Sequence, residues 1–265
     1  MRLFLEIIFR NFYYFLTDSS TRTFYLLSLR LGGLPRFVKK TIKVEGFNIK
    51  LADPLSFIYQ YREIFVDRSY SFKTSKSNPT IIDCGSNIGL AAIYYKSIYP
   101  NANVVCIEAD PEIAKICIDN ISNNQLKNIE VLPKAAWTHN DGVSFSSDGA
   151  DGGTIDNNST NKIESIDLKQ FLESFESIDF LKIDIEGAEK IVVPHCNDAF
   201  KNISNVFLEY HTNYNEQQNL GEILMQFQSL GFKYFIKNEN KRKSPFVNRN
   251  IDKNFDMQLN IFFYK

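Results

Sequence analysis

Short apolar runs rich in Ile, Val and Phe alternate, from residue 80 onward, with segments whose apolar residues recur every three or four positions. This alternation predicts an α/β fold in which helices connect the strands of a mostly parallel sheet. A longer polar loop separates the last two apolar runs and favours an antiparallel hairpin at the edge of the sheet. The predicted strands are 80–84, 103–108, 129–132, 179–185, 203–209, 232–236 and 257–264, and the predicted helices are 88–98, 111–122, 166–175, 188–193 and 216–229.

The N-terminal part of the chain has a different pattern. Residues 1–40 are aromatic and basic, and the apolar residues from Leu5 to Phe15 have helical spacing. A helical extension is therefore expected there. The expected organisation is this extension over 1–40, a lead-in of a hairpin and a helix or loop over 41–78, and a main domain over 79–265.

A glycine turn follows the first strand of the main domain. Asp83 lies near the end of the strand, Gly85 permits a sharp turn, and Gly89 lies at the start of the next helix. Free N–H groups at a helix start can bind polar or anionic groups. The following strand ends in Glu108, whose carboxylate can accept hydrogen bonds from both hydroxyls of a ribose. This layout predicts a nucleoside-binding site and serves NAD and S-adenosylmethionine (SAM) alike.

Two residues of the turn favour SAM over NAD. The dinucleotide fingerprint G-x-G-x-x-G has a second glycine beside the pyrophosphate, and Asn87 stands at that position. Asp83 would repel a pyrophosphate but suits the cationic methionine end of SAM. The chain also lacks the Tyr-x-x-x-Lys motif of one class of NAD-dependent oxidoreductase.

Charged residues interrupt a strand that should lie inside the sheet. Lys182, Asp184 and Glu186 alternate near its end and so share one side. Burying a charge costs free energy unless the charge is paired or takes part in the chemistry of a site. These three residues are therefore either a structural Lys–acid pair with helix-capping acids or part of a reaction centre. Glu209 and His211, just after the next strand, also share a side. If the two strands are neighbours, these residues converge with Asp184 on one pocket.

Composition and charge limit the kinds of binding partner that can be expected. The net charge of −1 does not suggest nucleic acid. Residues 1–45 hold eight Arg or Lys and three Asp or Glu, whereas the remainder has a net charge of −6. Residues 1–40 are thus either a helical cap on the domain or on a second subunit, or an amphipathic segment on an anionic membrane face. No apolar run is long enough to span a membrane, and the four cysteines show no metal or disulfide spacing, so a cytoplasmic protein is expected.

Three motifs together resemble the FkbM family of SAM-dependent methyltransferases, which has the Rossmann-like class I methyltransferase fold. They are residues 82–89, 108–111 and 180–189, and residues 135–137 and 209–211 also look like family positions. The resemblance covers roughly residues 42–237. It implies O-methylation, often of a sugar hydroxyl in a polysaccharide or in a glycosylated natural product.

The resemblance also implies which residues contact the cofactor. The turn after the first strand would hold the methionine part of SAM, Glu108 the ribose, and the stretch 135–137 the adenine side. The expected cofactor-binding residues are Asp83, Gly85, Ser86, Asn87, Gly89, Glu108, Ala109, Ala136, Trp137 and Asp184.

Methyl transfer to a hydroxyl requires alignment of the acceptor and, because a sugar hydroxyl is a poor acid, a general base or a metal. His211 is the first candidate for the base and Asp184 the second. Glu186 would fix the acceptor hydroxyl or cap the next helix, and Lys182 completes the candidate catalytic set. A divalent cation such as Mg²⁺, held by Asp184, Glu209 and His211, is an alternative.

The leading interpretation is an O-methyltransferase acting on a cell-surface polysaccharide or on its lipid- or nucleotide-linked precursor. A glycosylated or polyketide small molecule is the alternative acceptor. Two other functional classes remain. One is an NAD-dependent oxidoreductase, and the other is a non-catalytic adapter that recruits partners through residues 1–40.

Overall fold

The computed structural model describes residues 9, 12–147, 149, 153–155, 159–213, 216–239, 243–248 and 257–265. The strands are β1 (Lys40–Val44), β2 (Phe47–Leu51), β3 (Thr80–Cys84), β4 (Asn103–Ile107), β5 (Ile129–Leu132), β6 (Ala135–Trp137), β7 (Val143–Ser146), β8 (Thr154–Ile155), β9 (Lys162–Ile163), β10 (Ser165–Asp167), β11 (Ile178–Ile183), β12 (Ile203–Thr212), β13 (Lys233–Asn238) and β14 (Met257–Tyr264). The helices are α1 (Ser19–Leu31), α2 (Pro54–Tyr61), α3 (Leu90–Ile98), α4 (Pro111–Asn123), α5 (Leu168–Glu173), α6 (Glu189–Cys196) and α7 (Leu220–Ser229), with a π-helical turn at Arg62–Val66 and a 3₁₀ turn at Asn197–Asn202.

A seven-stranded sheet in the order β13-β14-β12-β11-β3-β4-β5 forms the centre of the molecule. The five strands from β12 to β5 run parallel, and β14 runs antiparallel between β12 and β13. The predicted α/β sheet with an antiparallel C-terminal hairpin is therefore confirmed. Because β3 and β11 are neighbours, the glycine turn and the charged stretch after β11 meet at one edge of the sheet.

Apolar side chains cover both faces of the sheet. Helices α1 to α4 and the β1–β2 hairpin share one buried cluster with one face, and α5 to α7 share another with the opposite face. The hairpin predicted around Glu45 and Gly46 is confirmed by the antiparallel pairing of β1 with β2. Asp53 caps α2 by accepting from Ser56 N at 2.8 Å, and Arg36 Nε donates to the same carboxylate.

Two predicted element boundaries were wrong in ways that affect the site. β12 pairs with β14 as far as Thr212, so Glu209 and His211 lie inside the strand and not after it. Residues 166 and 167, predicted as helical, belong to strand β10, which pairs with β6, so α5 begins only at Leu168.

The four cysteines are free and buried, as expected for reduced thiols. Among the helices that the structure describes, none combines the length and apolar character needed to cross a membrane. Of the predicted N-terminal extension, residues 12–17 and α1 are helical. Residues 1–8, 10 and 11, which include the predicted apolar positions Leu5 and Ile8, lie outside the described residues.

Candidate active site

A cleft of about 730 Å³ lies at the carboxyl ends of β3, β4 and β11. Its floor is polar, and Phe145 and Ile155 supply apolar surface on another wall. Six of the residues expected to bind the cofactor line this cleft, namely Gly85, Asn87, Glu108, Ala109, Ala136 and Asp184. The sequence motifs therefore meet around one cleft, at the sheet edge where ligands of open α/β folds bind.

The turn after β3 depends on a glycine and on an asparagine. Gly85 has φ +78°, and a Cβ atom there would lie 1.7 Å from the backbone oxygen of Asp184. Asn87 has φ +49°, in the left-handed region that asparagine tolerates better than most residues. The tight approach of β3 to the end of β11 therefore explains why residue 85 carries no side chain.

Glu108 is anchored to the same turn through its carboxylate. Its Oε2 accepts from Asn87 N at 2.7 Å, and its Oε1 accepts from Asp110 N at 3.0 Å. Each carboxylate oxygen can accept a second hydrogen bond, so both remain able to bind hydroxyls in the cleft. Burial raises the pKa of Glu108 to about 7, although these backbone N–H groups act in the opposite direction.

The other four expected cofactor residues are not among the described residues that line the cleft. Asp83 is fully buried beside Lys182, and Ser86 is buried with no hydrogen-bond partner for its hydroxyl. A Cβ atom at Gly89 would lie 2.7 Å from Cys117 Sγ, so this glycine permits the approach of α3 to α4. Trp137 Nε1 donates to His139 Nε2 at 3.0 Å. Direct contacts of these four with the cofactor stay predictions.

Lys182 is a buried cation between two aspartates. Its Nζ lies 3.1 Å from Asp184 Oδ2 and 3.4 Å from Asp83 Oδ1, and it donates to Gly85 O at 2.9 Å. Burial alone would lower the pKa of Lys182, but Asp184 and Asp83 raise it well above the ordinary value. Lys182 therefore stays protonated and fixes the position of Asp184, which leaves Asp184 Oδ1 without a hydrogen-bond partner.

His211 is enclosed by carboxylates at the next strand. Its Nδ1 lies 3.4 Å from Glu189 Oε1, and its Nε2 lies 3.4 Å from Glu209 Oε1 and 4.0 Å from Glu186 Oε2. Burial alone would lower its pKa, but Glu189 and Glu209 raise the pKa of His211 well above the ordinary value. A protonated imidazole cannot take up a proton. This electrostatic environment favours Asp184 over His211 as the group that accepts one.

Three residues of this pocket were not predicted. Glu189 accepts from Ile185 N at 2.9 Å and from Gly187 N at 3.0 Å, so it holds the loop that carries Glu186. Its sequence position was part of the charged motif, which was a usable signal. Glu63 comes from the π-helical turn, and Gln60, on the last turn of α2, also lines the cleft. Nothing in the local sequence distinguishes either of them from a surface residue.

The metal ligands predicted from the sequence are only partly together. Among the described residues, Asp184, Glu186 and His211 bring ligand atoms within 4.8 Å of one another. Glu209, predicted in place of Glu186, accepts a hydrogen bond from Gln258 Nε2 and lies beside His211. Two carboxylates and one imidazole could bind a cation, but Lys182 already neutralises Asp184 and the proton on His211 competes with a metal.

The concentration of acids predicts that the cofactor-free protein loses stability as the pH rises. Burial and neighbouring carboxylates, first Glu209 for Glu63 and first Asp184 for Glu186, raise the pKa of Glu63 to about 8 and that of Glu186 to about 9. Unfolded glutamates titrate near 4.5, so between about pH 4.5 and 9 the folded chain binds more protons than the unfolded chain. We expect a higher Tm at pH 6 than at pH 9 by calorimetry.

Glu63→Gln and Glu186→Gln should each flatten this pH dependence, because each removes one group with a raised pKa. Glu130→Gln, at an exposed position on β5, changes the net charge equally and should leave the slope unaltered. A Tm that rises from pH 6 to pH 9 in the unmodified protein would contradict the raised pKa values of Glu63 and Glu186.

Comparison with known proteins identifies the family. The model of the methyltransferase FkbM domain matches residues 83–234, which is more than half of the chain. The chain is 42% identical over 64 residues to methyltransferase sdnD of Sordaria araneosa, covering 24% of this chain and 23% of that protein. It is 24% identical over 158 residues to the 2-O-methyltransferase NoeI of Sinorhizobium fredii, covering 51% of this chain and 64% of that protein. The alignments thus span less than two thirds of either relative.

Solved structures give weaker similarity. The methyltransferase FkbM from Methylobacillus flagellatus KT aligns with 81% of this chain and 56% of its own, with a TM-score of 0.47 and 16% identity. A SAM-dependent methyltransferase from Agrobacterium tumefaciens aligns with 88% of this chain and 71% of its own, with a TM-score of 0.49 and 8% identity. Since both scores are below 0.5, the assignment depends on the family match, which includes the glycine turn and the charged motif. The chain belongs to the FkbM methyltransferase family.

Proposed function

We propose that this protein transfers a methyl group from SAM to a hydroxyl of a sugar, in a cell-surface polysaccharide or in its lipid- or nucleotide-linked precursor. The observation that carries this proposal is the set of contacts made by the Asp184 carboxylate. Asp184 lines the cleft, its Oδ2 is fixed by Lys182 at 3.1 Å, and its Oδ1 is buried and has no hydrogen-bond partner. A fixed carboxylate oxygen with unused acceptor capacity is suited to receive a hydroxyl proton.

The residues of the cleft fit SAM. Glu108 offers one further acceptor position on each oxygen for the two ribose hydroxyls, and Ala109 and Ala136 leave room beside it. Negative charge at Asp184 opposes a pyrophosphate, which supports SAM over NAD. When bound, SAM supplies an electrophilic methyl group on a sulfonium.

Replacement of Glu108 should weaken SAM binding. In Glu108→Gln one oxygen becomes an amide donor, so we expect about a tenfold rise in Kd because a charge-assisted hydrogen bond to one ribose hydroxyl is lost. In the unmodified protein, affinity should fall as the pH drops below about 7, where Glu108 becomes protonated. Titration calorimetry with SAM at several pH values measures both effects.

Glu112→Gln is the control for this experiment, because Glu112 is an exposed acid on the first turn of α4, the helix that follows Glu108. It should bind SAM as tightly as the unmodified protein. Equal Kd values for Glu108→Gln and Glu112→Gln would remove Glu108 from the ribose site.

The transfer is a displacement in which an O–CH₃ bond forms as a C–S bond breaks. As the acceptor oxygen gains the methyl group it becomes strongly acidic, so a carboxylate is basic enough to take its proton. Asp184 receives this proton, while Lys182 keeps the aspartate oriented and stays charged. Glu186 lines the cleft and would hold the acceptor by a hydrogen bond, and the buried His211, 4.0 Å from Glu186 Oε2, would position Glu186 for this role.

The carboxyl groups around the pocket support a polyhydroxy acceptor. Glu63, Asp184, Glu186 and Glu209 lie near one another, and burial raises the pKa of Glu63 to about 8 and that of Glu186 to about 9, so these two carry a proton near neutral pH. Protonated carboxyl groups donate hydrogen bonds to sugar hydroxyls and ionised ones accept them, and the net charge of −1 gives no reason to expect nucleic acid as a substrate. The relative NoeI carries a name that states 2-O-methyl transfer, which supports transfer to oxygen.

Methyl-labelled SAM tests the acceptor directly. The protein is incubated with polysaccharide, lipid-linked and nucleotide-linked sugar fractions from its host, and with glycosylated small molecules as a separate arm. Label in the polysaccharide or its precursors supports the proposal. Label only in the small molecules would establish the second acceptor class, and SAM binding without any transfer would indicate a non-catalytic adapter.

Turnover should not require a metal. Lys182 and the proton on His211 already balance the carboxylates that would bind Mg²⁺, so we expect an unchanged kcat after treatment with excess EDTA. Added Mg²⁺ should likewise have no effect. Loss of activity in EDTA, restored by Mg²⁺ and abolished in Glu186→Gln, would instead establish a site at Asp184, Glu186 and His211.

We place this activity in the cytoplasm. The four buried, free thiols support a reducing compartment.

A further inference from the structure

Exposed apolar side chains are concentrated near the N-terminus. Of the 21 large hydrophobic residues that are exposed among those the structure describes, 11 lie between residues 9 and 38. Single exposed hydrophobic residues are ordinary, whereas a contiguous group of this kind marks an interaction site. The exposed side chains of residues 9–43 are called the aromatic-basic surface below.

Helix α1 shows why this surface has no internal partner. Leu27 and Leu31 are buried against the core, whereas Tyr25, Leu26 and Leu29 lie on the other side, with Leu26 63% and Leu29 84% exposed. A helix that is apolar on both sides is normally buried on both. The described residues of the chain therefore leave the second side of α1 uncovered.

The preceding helical segment, 12–17, extends the same surface. The ring of Phe15 packs edge-on against Tyr25 at 5.7 Å, and Arg22 Nη1 donates to Leu16 O at 2.7 Å. Phe37 and Val38, which follow α1, are also exposed. Aromatic rings of this kind are favoured at the interface between lipid and water.

Some basic side chains of the aromatic-basic surface have no counterion among the described residues. Arg30, Lys40 and Lys43 form no ion pair with any residue that the structure describes. Of the three acids in residues 1–45, Asp18 caps α1 and Glu45 accepts a hydrogen bond from Tyr61. Residues 1–45 carry a net charge of +5 and the remainder −6, so the molecule has a strong charge asymmetry.

We propose that the aromatic-basic surface binds the face of a lipid bilayer that contains anionic lipids. Its rings and leucines would enter the headgroup region, and its cations would pair with lipid phosphates. A second copy fits less well, because a two-fold contact would place Arg30, Lys40 and Lys43 against the same cations of the partner. The negative remainder of the chain would be oriented away from the bilayer.

The aromatic-basic surface lies near the cleft. Lys39 Nζ lies 3.5 Å from Glu112 Oε2 on the first turn of α4, next to Asp110 at the rim of the cleft. A protein bound in this way holds the cleft close to the lipid surface. The inference that the acceptor is lipid-linked rests on the proposed function. The inference that the surface binds a bilayer does not rest on it.

Sedimentation with vesicles tests the proposal on the full chain. We expect binding to vesicles of phosphatidylcholine mixed with phosphatidylglycerol, little binding to phosphatidylcholine alone, and weaker binding at high salt. Leu26→Glu/Leu29→Glu should lower the partition coefficient more than about tenfold, and Arg30→Gln and Lys43→Gln about fivefold each.

Ile191→Glu/Met225→Glu is the matched control. These residues are 53% and 63% exposed on α6 and α7, whose buried sides pack on the opposite face of the sheet. This variant should bind as the unmodified protein does, and thermal unfolding of all variants checks that they fold. The readout does not involve SAM, so its failure is separate from failure of the proposed function.

Three results would overturn the proposal. The first is no vesicle binding at all, and the second is equal binding to neutral vesicles. The third is a dimer in analytical ultracentrifugation that Leu26→Glu/Leu29→Glu dissociates without any vesicle binding, which would assign the surface to a second copy.

Discussion

Asp184→Asn should lower kcat by about 10²–10⁴-fold, the range associated with loss of a general base. The amide keeps the size of the side chain but cannot take up the proton that leaves the acceptor hydroxyl. Because Lys182 also pairs with Asp83 at 3.4 Å, the variant retains a partner for the buried cation and should fold. Turnover with methyl-labelled SAM measures the effect, and titration calorimetry shows whether SAM still binds.

Asp119→Asn provides the control for Asp184→Asn. Asp119 also pairs with a lysine, since Lys50 Nζ lies 2.9 Å from its Oδ2, but it lies on α4 and is not among the described residues of the cleft. Its loss should leave kcat unaltered. A further variant, His211→Gln, should change the KM for the acceptor more than kcat, because the buried imidazole positions Glu186, which lines the cleft. Full turnover in Asp184→Asn together with none in His211→Gln would restore His211 as the base.

The sequence predicted the parts of the site that are local in the chain. The glycine turn with its acid and the charged motif after β11 each occupy about ten consecutive residues, and their patterns have a direct physical meaning. The expected neighbouring position of the strands that carry Asp184 and His211 follows from the alternation of strands and helices, and the pairing of β11 with β12 confirms it.

Other features depend on contacts between distant segments. The end of β12 is set by β14, so Glu209 and His211 become strand residues only because Asn260 and Gln258 lie opposite them. Glu63 accepts a hydrogen bond from Asn260 Nδ2 at 3.3 Å, although the two residues are almost two hundred positions apart in the chain. No local pattern encodes such a pairing.

Protonation states are also a tertiary property. A histidine near three acids in sequence motifs suggests a base, but only the distances show that two carboxylates flank the ring on opposite nitrogens. The same group is a base in one arrangement and a permanent cation in another. The proposed function therefore puts Asp184 before His211 as the base, whereas the sequence put His211 first.

Gly85→Ala should be the most destabilising single substitution in the site. Two costs add at this position: a left-handed backbone angle, with φ +78°, and a Cβ atom that would lie 1.7 Å from the backbone oxygen of Asp184. The backbone of β11 cannot move away without breaking its pairing with β3. We expect a loss of more than about 4 kcal/mol in the free energy of unfolding, or no folded protein at all.

Gly46→Ala separates the two costs. Gly46 has φ +84° in the β1–β2 turn, and a Cβ atom there would meet nothing within 4 Å. This variant carries the backbone strain alone and should lose about 1–2 kcal/mol, measured by urea unfolding with an unchanged m value. The excess loss in Gly85→Ala then reports the close approach of β3 to Asp184, on which the geometry of the proposed proton acceptor depends. Equal losses in the two variants would show that the turn and the carboxyl end of β11 are not in contact.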